Sequence, residues 1–344
     1  MSEQVPKRPY PRGRRRRRWR KSRVSSFCLR QLEFLGVGLV HSFFSYVPSR
    51  RLAGPLAILG RLLFRFAARR RRVTLQNLQH YYQGKKNDEE LWSIASRSLG
   101  SFLLSMAEHS WFRRLLADPA QADRLKDEIE GLDEFMAKAR YMHRQTKGCI
   151  FVTPHFGAFG IFPYLFSAWT IPLVVPIQPR RNAAVQQRWC PLNVQRSHDG
   201  EMFVAKKNSF GALKAALRGG RSVGMMADQR TLGGVAVDFL GRAAPTTPMP
   251  ALLAISFRRP IVVGGCYRTR GRYGYAVFMT EPIWPPEGGK SQTNIVRMTE
   301  EMNRRMGEII ALDPEQYFWV HNRWKPDSRN AAFSARPRHA DNDG

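Results

Sequence analysis

Three polar clusters each follow a short apolar run, and each carries side chains suited to acid–base or anion chemistry. The first, Thr153-Pro154-His155-Phe156-Gly157-Ala158-Phe159-Gly160, comes after Cys149–Val152. A histidine at the carboxyl end of a strand can abstract a hydroxyl proton near neutral pH. Gly157 and Gly160 leave room beside it for a substrate or another backbone. The second cluster is Ala227-Asp228-Gln229, after Val223–Met226, where Asp228 reads equally as a functional acid or as a helix or loop cap. The third is Pro176-Ile177-Gln178-Pro179-Arg180-Arg181-Asn182, which overlaps the end of the run Leu173–Ile177. Its arginines either bind phosphate by charge-assisted hydrogen bonds or belong to a solvated basic face. A lone histidine among apolar residues is more often a hydrogen-bonded structural group than a catalyst. Three such clusters after three strand-like runs say more, because strands of one sheet bring their ends to one edge.

The elements that would position these clusters alternate between short apolar runs and helical patterns. Runs at Cys149–Val152, Leu173–Ile177, Val223–Met226, Val235–Phe239 and Ile261–Tyr267 are separated in several places by helix-like segments, notably Ala212–Arg218 and Ala251–Phe257. This predicts an α/β fold with a mixed central sheet flanked by helices. Upstream, Asn87–Leu116 has helical periodicity, with Asp88, Glu89 and Glu90 at the favourable acidic end. A further helix is expected over Asn294–Leu312.

Of 344 residues, 56 are Lys or Arg and 27 Asp or Glu, a formal net charge of +29. Such a balance calls for an anionic partner: a phospholipid surface, nucleic acid or an acidic carrier protein. Nucleic acid is the weakest of these, since only the arginine-rich leader supports it and no zinc finger or RNP-type aromatic motif is present. The four cysteines, Cys28, Cys149, Cys190 and Cys266, are scattered without a CxxC pair, which points to reduced thiols, a cytosolic compartment and no zinc site. No Walker loop, no strand-following GxGxxG, no GxSxG elbow and no HExxH helix occurs, so neither a nucleotide cofactor nor a metal is expected.

The leader contains Arg14–Arg18, Arg20 and Lys21 and is expected to stay disordered until it meets a polyanion. Leu29–Val47 is about long enough to cross a bilayer, but Arg30, Glu33 and His41 make it a poor span. Leu52–Phe66 places Leu52, Leu56, Leu59, Leu63 and Phe66 at helical spacing and runs on to Arg69–Arg72. An amphipathic, membrane-associated helix with polybasic flanks fits this pattern, as does a buried helical hairpin. Basic residues on both sides of Leu29–Val47 favour a shallow or re-entrant anchor over a span.

In order and spacing, several stretches resemble the bacterial lipid A late acyltransferases of lauroyl/myristoyl type, within the wider lysophospholipid and glycolipid acyltransferases. They are "YVPSRRLAGPLAILGRLLFRF", "RRRRVTLQNLQHYY", "GCIFVTPHFGAFG", "PIQPRRN", "LKAALRGGRSVGMMADQR", "GVAVDFLGRAAPTTPMPALLA" and "PEQYFWVHNRWK", from about Tyr46 to Lys325. The resemblance implies an enzyme at the cytoplasmic face of the inner membrane. It would move a fatty acyl chain from an acyl carrier protein or coenzyme A thioester to a hydroxyl of a membrane lipid or glycolipid, without a metal. It implies four segments: a disordered basic leader, 1–28; a membrane-associating helical segment, 29–72; an acyltransferase-like α/β domain, 73–326; and a flexible tail, 327–344. His155 matches the family's general base, and Asp228 its strand-end aspartate. Gln178, Arg180, Arg181, Asn182 and Gln229 become the candidate substrate-binding set, with Gln178 where the family usually carries an arginine.

One departure matters. The family places an acid five positions after its histidine, and that position is Gly160. An acid facing a catalytic imidazole fixes its tautomer and stabilises the imidazolium, and in serine-hydrolase triads its amide replacement lowers turnover about ten-thousand-fold. Either another carboxylate serves His155, with Asp228 first and Glu108 second, or the enzyme is slow. The alternative is a catalytically degenerate, lipid-binding paralogue.

Overall fold

The computed structural model describes residues 23–177, 182, 184–185, 201–204, 209–270 and 274–325. The leader as far as residue 22, the tail from residue 326, and Gln178, Arg180 and Arg181 lie outside that set.

Four helices open the described chain: α1 (Arg23–Tyr46), α2 (Ser49–Phe66), α3 (Ala68–Tyr82) and α4 (Asp88–Leu115). The start of α4 is fixed by a reciprocal cap. The Asn87 side chain accepts from the Glu90 amide at 2.9 Å, and the Glu90 carboxylate accepts from the Asn87 amide at 3.0 Å. Against α4 packs α2, and the two backbones nearly touch: a Cβ added to Gly60 would lie 2.5 Å from Gly100 Cα. Only glycine permits that approach.

This crossing decides which stripe of α2 faces inward. Leu52, Leu56, Gly60 and Phe64, four apart, are buried, and Leu52 and Leu56 pack with Leu104 and Ala107 of α4. The apolar face expected from sequence is therefore split. Leu59, Leu63 and Phe66 remain outside with Ile58 and Leu62. On α1, Leu29, Leu32, Leu35, Leu39, Val40 and Phe43 are likewise exposed. No helix among the described residues is long and apolar enough to cross a membrane, α1 included.

After α5 (Pro119–Arg124) comes the mixed sheet, with α6 (Leu132–Thr146), α7 (Phe162–Ala168), α8 (Ser209–Arg218), α9 (Met249–Phe257) and α10 (Gln292–Leu312) between or after its strands. Its strands are β1 (Ile129–Glu130), β2 (Ile150–Thr153), β3 (Leu173–Ile177), β4 (Glu201–Val204), β5 (Ser222–Met226), β8 (Ile261–Arg268) and β9 (Tyr275–Met279). The order is β1-β9-β8-β2-β5-β3-β4, and every neighbouring pair is parallel except β8 with β9. Alternation along β2 sends Ile150 and Val152 into one core and Phe151 into the other, as a sheet covered on both faces requires.

Val235–Phe239 is a correction. Read as part of the central sheet, it instead forms β6 of a separate antiparallel ribbon with β7 (Arg242–Thr246). The cause lies in its turn: Leu240 and Gly241 both have positive φ, 55° and 82°, the twist of a tight hairpin.

Candidate active site

His155 lies just beyond the carboxyl end of β2, and Asp228 just beyond that of β5. The two strands are parallel neighbours with Thr153 opposite Met226, so chain segments 73 residues apart meet at one edge of the sheet. His155 Nδ1 is 2.7 Å from Asp228 Oδ1, and the His155 amide donates to Asp228 Oδ2 at 2.9 Å. A carboxylate can only accept, so Nδ1 carries the proton and Nε2 holds the free lone pair of the neutral ring. About 12 % of the His155 side-chain surface and 2 % of the Asp228 side chain are accessible. Burial alone would push the Asp228 carboxyl up, but the His155 imidazole, the two hydrogen bonds and the Arg323 charge outweigh it and hold the pKa below the ordinary Asp value.

The loop bearing His155 has its backbone polar groups tied down one after another. Phe318 N–H donates to the His155 carbonyl, Gly157 N–H to the Gln316 carbonyl, and Ala158 N–H to the Cys266 carbonyl. Gly157 has φ +55°, and a Cβ there would fall 2.1 Å from the Cys266 carbonyl oxygen. The space left by this glycine is thus filled by another backbone. Aromatic rings border the imidazole, Phe159 at 5.0 Å and Phe318 at 6.0 Å between centroids, and Phe318 stacks on Phe102 of α4.

Beneath Asp228 lies a group to which the sequence alone assigns no role, although the stretch that carries it is part of the family resemblance. Tyr317 is buried, and that burial, followed by the Asp228 charge, raises its pKa well above the ordinary value. Arg323 sits over the Phe239 ring and donates to the Pro245 carbonyl and the Thr246 hydroxyl. His321 Nε2 accepts from the Arg230 amide at 2.9 Å. Burial lowers the His321 pKa, Asp228 opposes that shift, and Arg323, His155 and Arg70 reinforce it. The stretch Pro314–Lys325 has no helical or strand period, so its only signal was the density of aromatic and polar residues.

Asp228 thus meets the imidazole, whereas Glu108 is committed elsewhere, to Arg268. The Gln229 amide stands 3.3 Å from His155 Nε2. Asn182 is buried and donates to the Arg30 carbonyl and the Glu33 carboxylate of α1. At Gly160 an added Cβ would meet His109 Nδ1 at 3.1 Å, so a side chain there would set out toward α4. Among the described residues no three His, Cys, Asp or Glu side chains converge as a metal site.

Chemically this is a histidine–aspartate pair with its outer nitrogen available. No serine or cysteine among the described residues is hydrogen-bonded to His155 Nε2, which the Gln229 amide approaches. A family model described as bacterial lipid A biosynthesis acyltransferase matches residues 21–326. No curated protein matches the chain.

Proposed function

The chain belongs to the bacterial lipid A biosynthesis acyltransferase family, and from that premise we propose that it moves a fatty acyl chain from a thioester to a hydroxyl of a membrane lipid or glycolipid resembling a lipid A precursor. The donor is an acyl carrier protein or coenzyme A thioester. The observation that carries this reading is the His155–Asp228 pair, to whose Nε2 no serine or cysteine among the described residues is hydrogen-bonded. In the reaction, Nε2 takes the acceptor hydroxyl proton as the oxygen attacks the thioester carbonyl. Asp228 stabilises the imidazolium so formed. Collapse of the tetrahedral intermediate expels the thiolate, which recovers the proton from Nε2, giving an ester and a free thiol. Asp228 here does the work of the family acid that Gly160 lacks. Gln229, whose amide lies 3.3 Å from Nε2, would orient one of the two substrates.

The same reading puts the protein on the cytoplasmic face of the inner membrane. The exposed apolar residues of α1 and α2 and the arginines 61, 65, 69, 70 and 72 support it, each basic residue near an anionic surface contributing about 1 kcal/mol. Release from membranes by mild salt without detergent would count against an inserted apolar face.

The reaction is tested with purified full-length protein, acyl carrier protein or coenzyme A thioesters, and a panel of lipid acceptors, with acylated product read by mass spectrometry. Turnover is expected from the parent and not from His155→Ala. Equal turnover by both would remove His155 from the mechanism. No turnover by either, with lipid binding retained, would favour the non-catalytic paralogue.

A further inference from the structure

Arg268, at the end of β8, is buried together with Glu108 in the carboxyl-terminal third of α4. Its guanidinium forms a fork with the Glu108 carboxylate, Nε to Oε1 and Nη2 to Oε2, both at 2.8 Å. The remaining donors reach outward. Nη1 donates to the Ser101 hydroxyl at 2.8 Å and to the Gln316 side-chain oxygen at 3.1 Å, and Nη2 to the Ser105 hydroxyl at 2.7 Å. Ser105 in turn donates to the Gly157 carbonyl, with the Ser101 carbonyl as a second acceptor at 2.9 Å. Gln316 is gripped from both sides, accepting from the Arg268 amide at 3.0 Å and donating to the Arg268 carbonyl at 2.9 Å. Its own carbonyl receives the Gly157 amide. Tyr275 completes the set, donating to Glu108 at 3.0 Å and meeting Ser49 of α2 at 2.8 Å.

Both polar atoms of the Gly157 peptide group are therefore set by one cluster: the carbonyl through Ser105, the amide through Gln316. Gly157 stands two residues from His155, and the glycine backbone has no side chain of its own to hold it. We propose that Arg268 and Ser105 are positioning residues for His155, fixing through Gly157 the angle at which the imidazole meets Asp228. A buried ion pair adds little net stability over an apolar replacement, since desolvation offsets its attraction. A fork whose remaining donors go to Ser105 and Gln316, the two residues that hold the polar atoms of Gly157, is better explained as a device for geometry, where displacements near 1 Å can cost about a hundredfold in rate. The proposal rests on the acyltransfer reading for its rate effect but not for its geometric effect.

Two measurements on the full chain separate those effects. In proton NMR, the hydrogen-bonded Nδ1 proton of His155 is expected as a downfield signal that His155→Gln abolishes. Ser105→Ala, and independently Arg268→Lys, should shift or broaden that signal. In the acyltransfer assay they should lower kcat about tenfold or more with KM within about twofold. Ser98→Ala, buried in the same helix and bonded only to the Ala95 carbonyl, controls for lost stability and should leave the signal in place. If Arg268→Lys does not fold, Ser105→Ala decides alone. A parent-like signal in Ser105→Ala overturns the proposal, whether or not the parent turns over. A displaced signal supports it even where no acceptor is found.

Discussion

Asp228 holds His155 at two points, one carboxylate oxygen on the ring Nδ1 at 2.7 Å and the other on the backbone amide at 2.9 Å. A single contact would leave the ring free to swing about the bond; two fix the ring and the peptide that carries it. Asp228→Asn keeps the size but presents an amide that can donate to Nδ1 and so favours the wrong tautomer. Turnover is expected to fall about a thousandfold or more with KM little changed. Asp228→Ala also orphans the His155 amide, for a loss of about 1–3 kcal/mol in denaturant titration. Parent-like kcat in Asp228→Asn would remove the carboxylate from the mechanism.

Position 160 supplies a complementary test. Gly160→Glu restores the acid that the family carries there, but the side chain leaves the backbone against His109. No gain in turnover is expected in the parent background, and no rescue of Asp228→Asn. Recovery of the double variant to near parental rate would show that a carboxylate from position 160 can reach His155.

Acid sensitivity should be carried in part by His321. Its folded pKa lies below the ordinary 6.5, chiefly through burial. Below pH 6.5 the unfolded chain therefore binds more protons at this residue than the folded one. Its cost is absent above that pH and grows as pH falls through the window beneath it. His321→Gln retains an oxygen for the Arg230 amide and cannot titrate. Its denaturation midpoint should fall less steeply than the parent's below pH 6.5; superimposable curves would rule His321 out as the cause.

Gly60→Val probes the seat of α2. Nothing larger than hydrogen fits against Gly100, so the helices must part, at a cost of about 1–3 kcal/mol or more. Thermal denaturation and limited proteolysis between α2 and α3 would report it. A parent-like melting temperature would mean that the crossing is looser than described.

The apolar runs made the strand ends readable, and with them the neighbourhood of His155 and Asp228. The apolar run of β2 and the acidic start of α4 are local signals and needed no tertiary context. The adjacency of β2 and β5 is not local. It depends on β5 inserting between β2 and β3, and no residue within either strand announces that. Glu108 illustrates the same limit. It could be noticed as a carboxylate in a helix, but its partner lies 160 residues away. The bonds of Asn182 to α1 were hidden for a similar reason, because a polar residue after a strand looks the same whether it faces a ligand or a distant helix. His321 and Arg323 lie in a stretch without period, where pattern reading has nothing to work on.

The contact of Gly60 with Gly100 has a mechanical consequence. At that crossing no side chain lies between the two backbones, so α2 cannot move closer to α4 there without pushing α4 along. From α4 the path to the imidazole is short, through Phe102 and Phe318 on one side and Ser105 and Gly157 on the other. Any surface that captures the outer face of α2 would then fix the elevation of His155 above it, like a gauge block. Which hydroxyl comes within reach would be decided by that standoff, before any side chain inspects the acceptor.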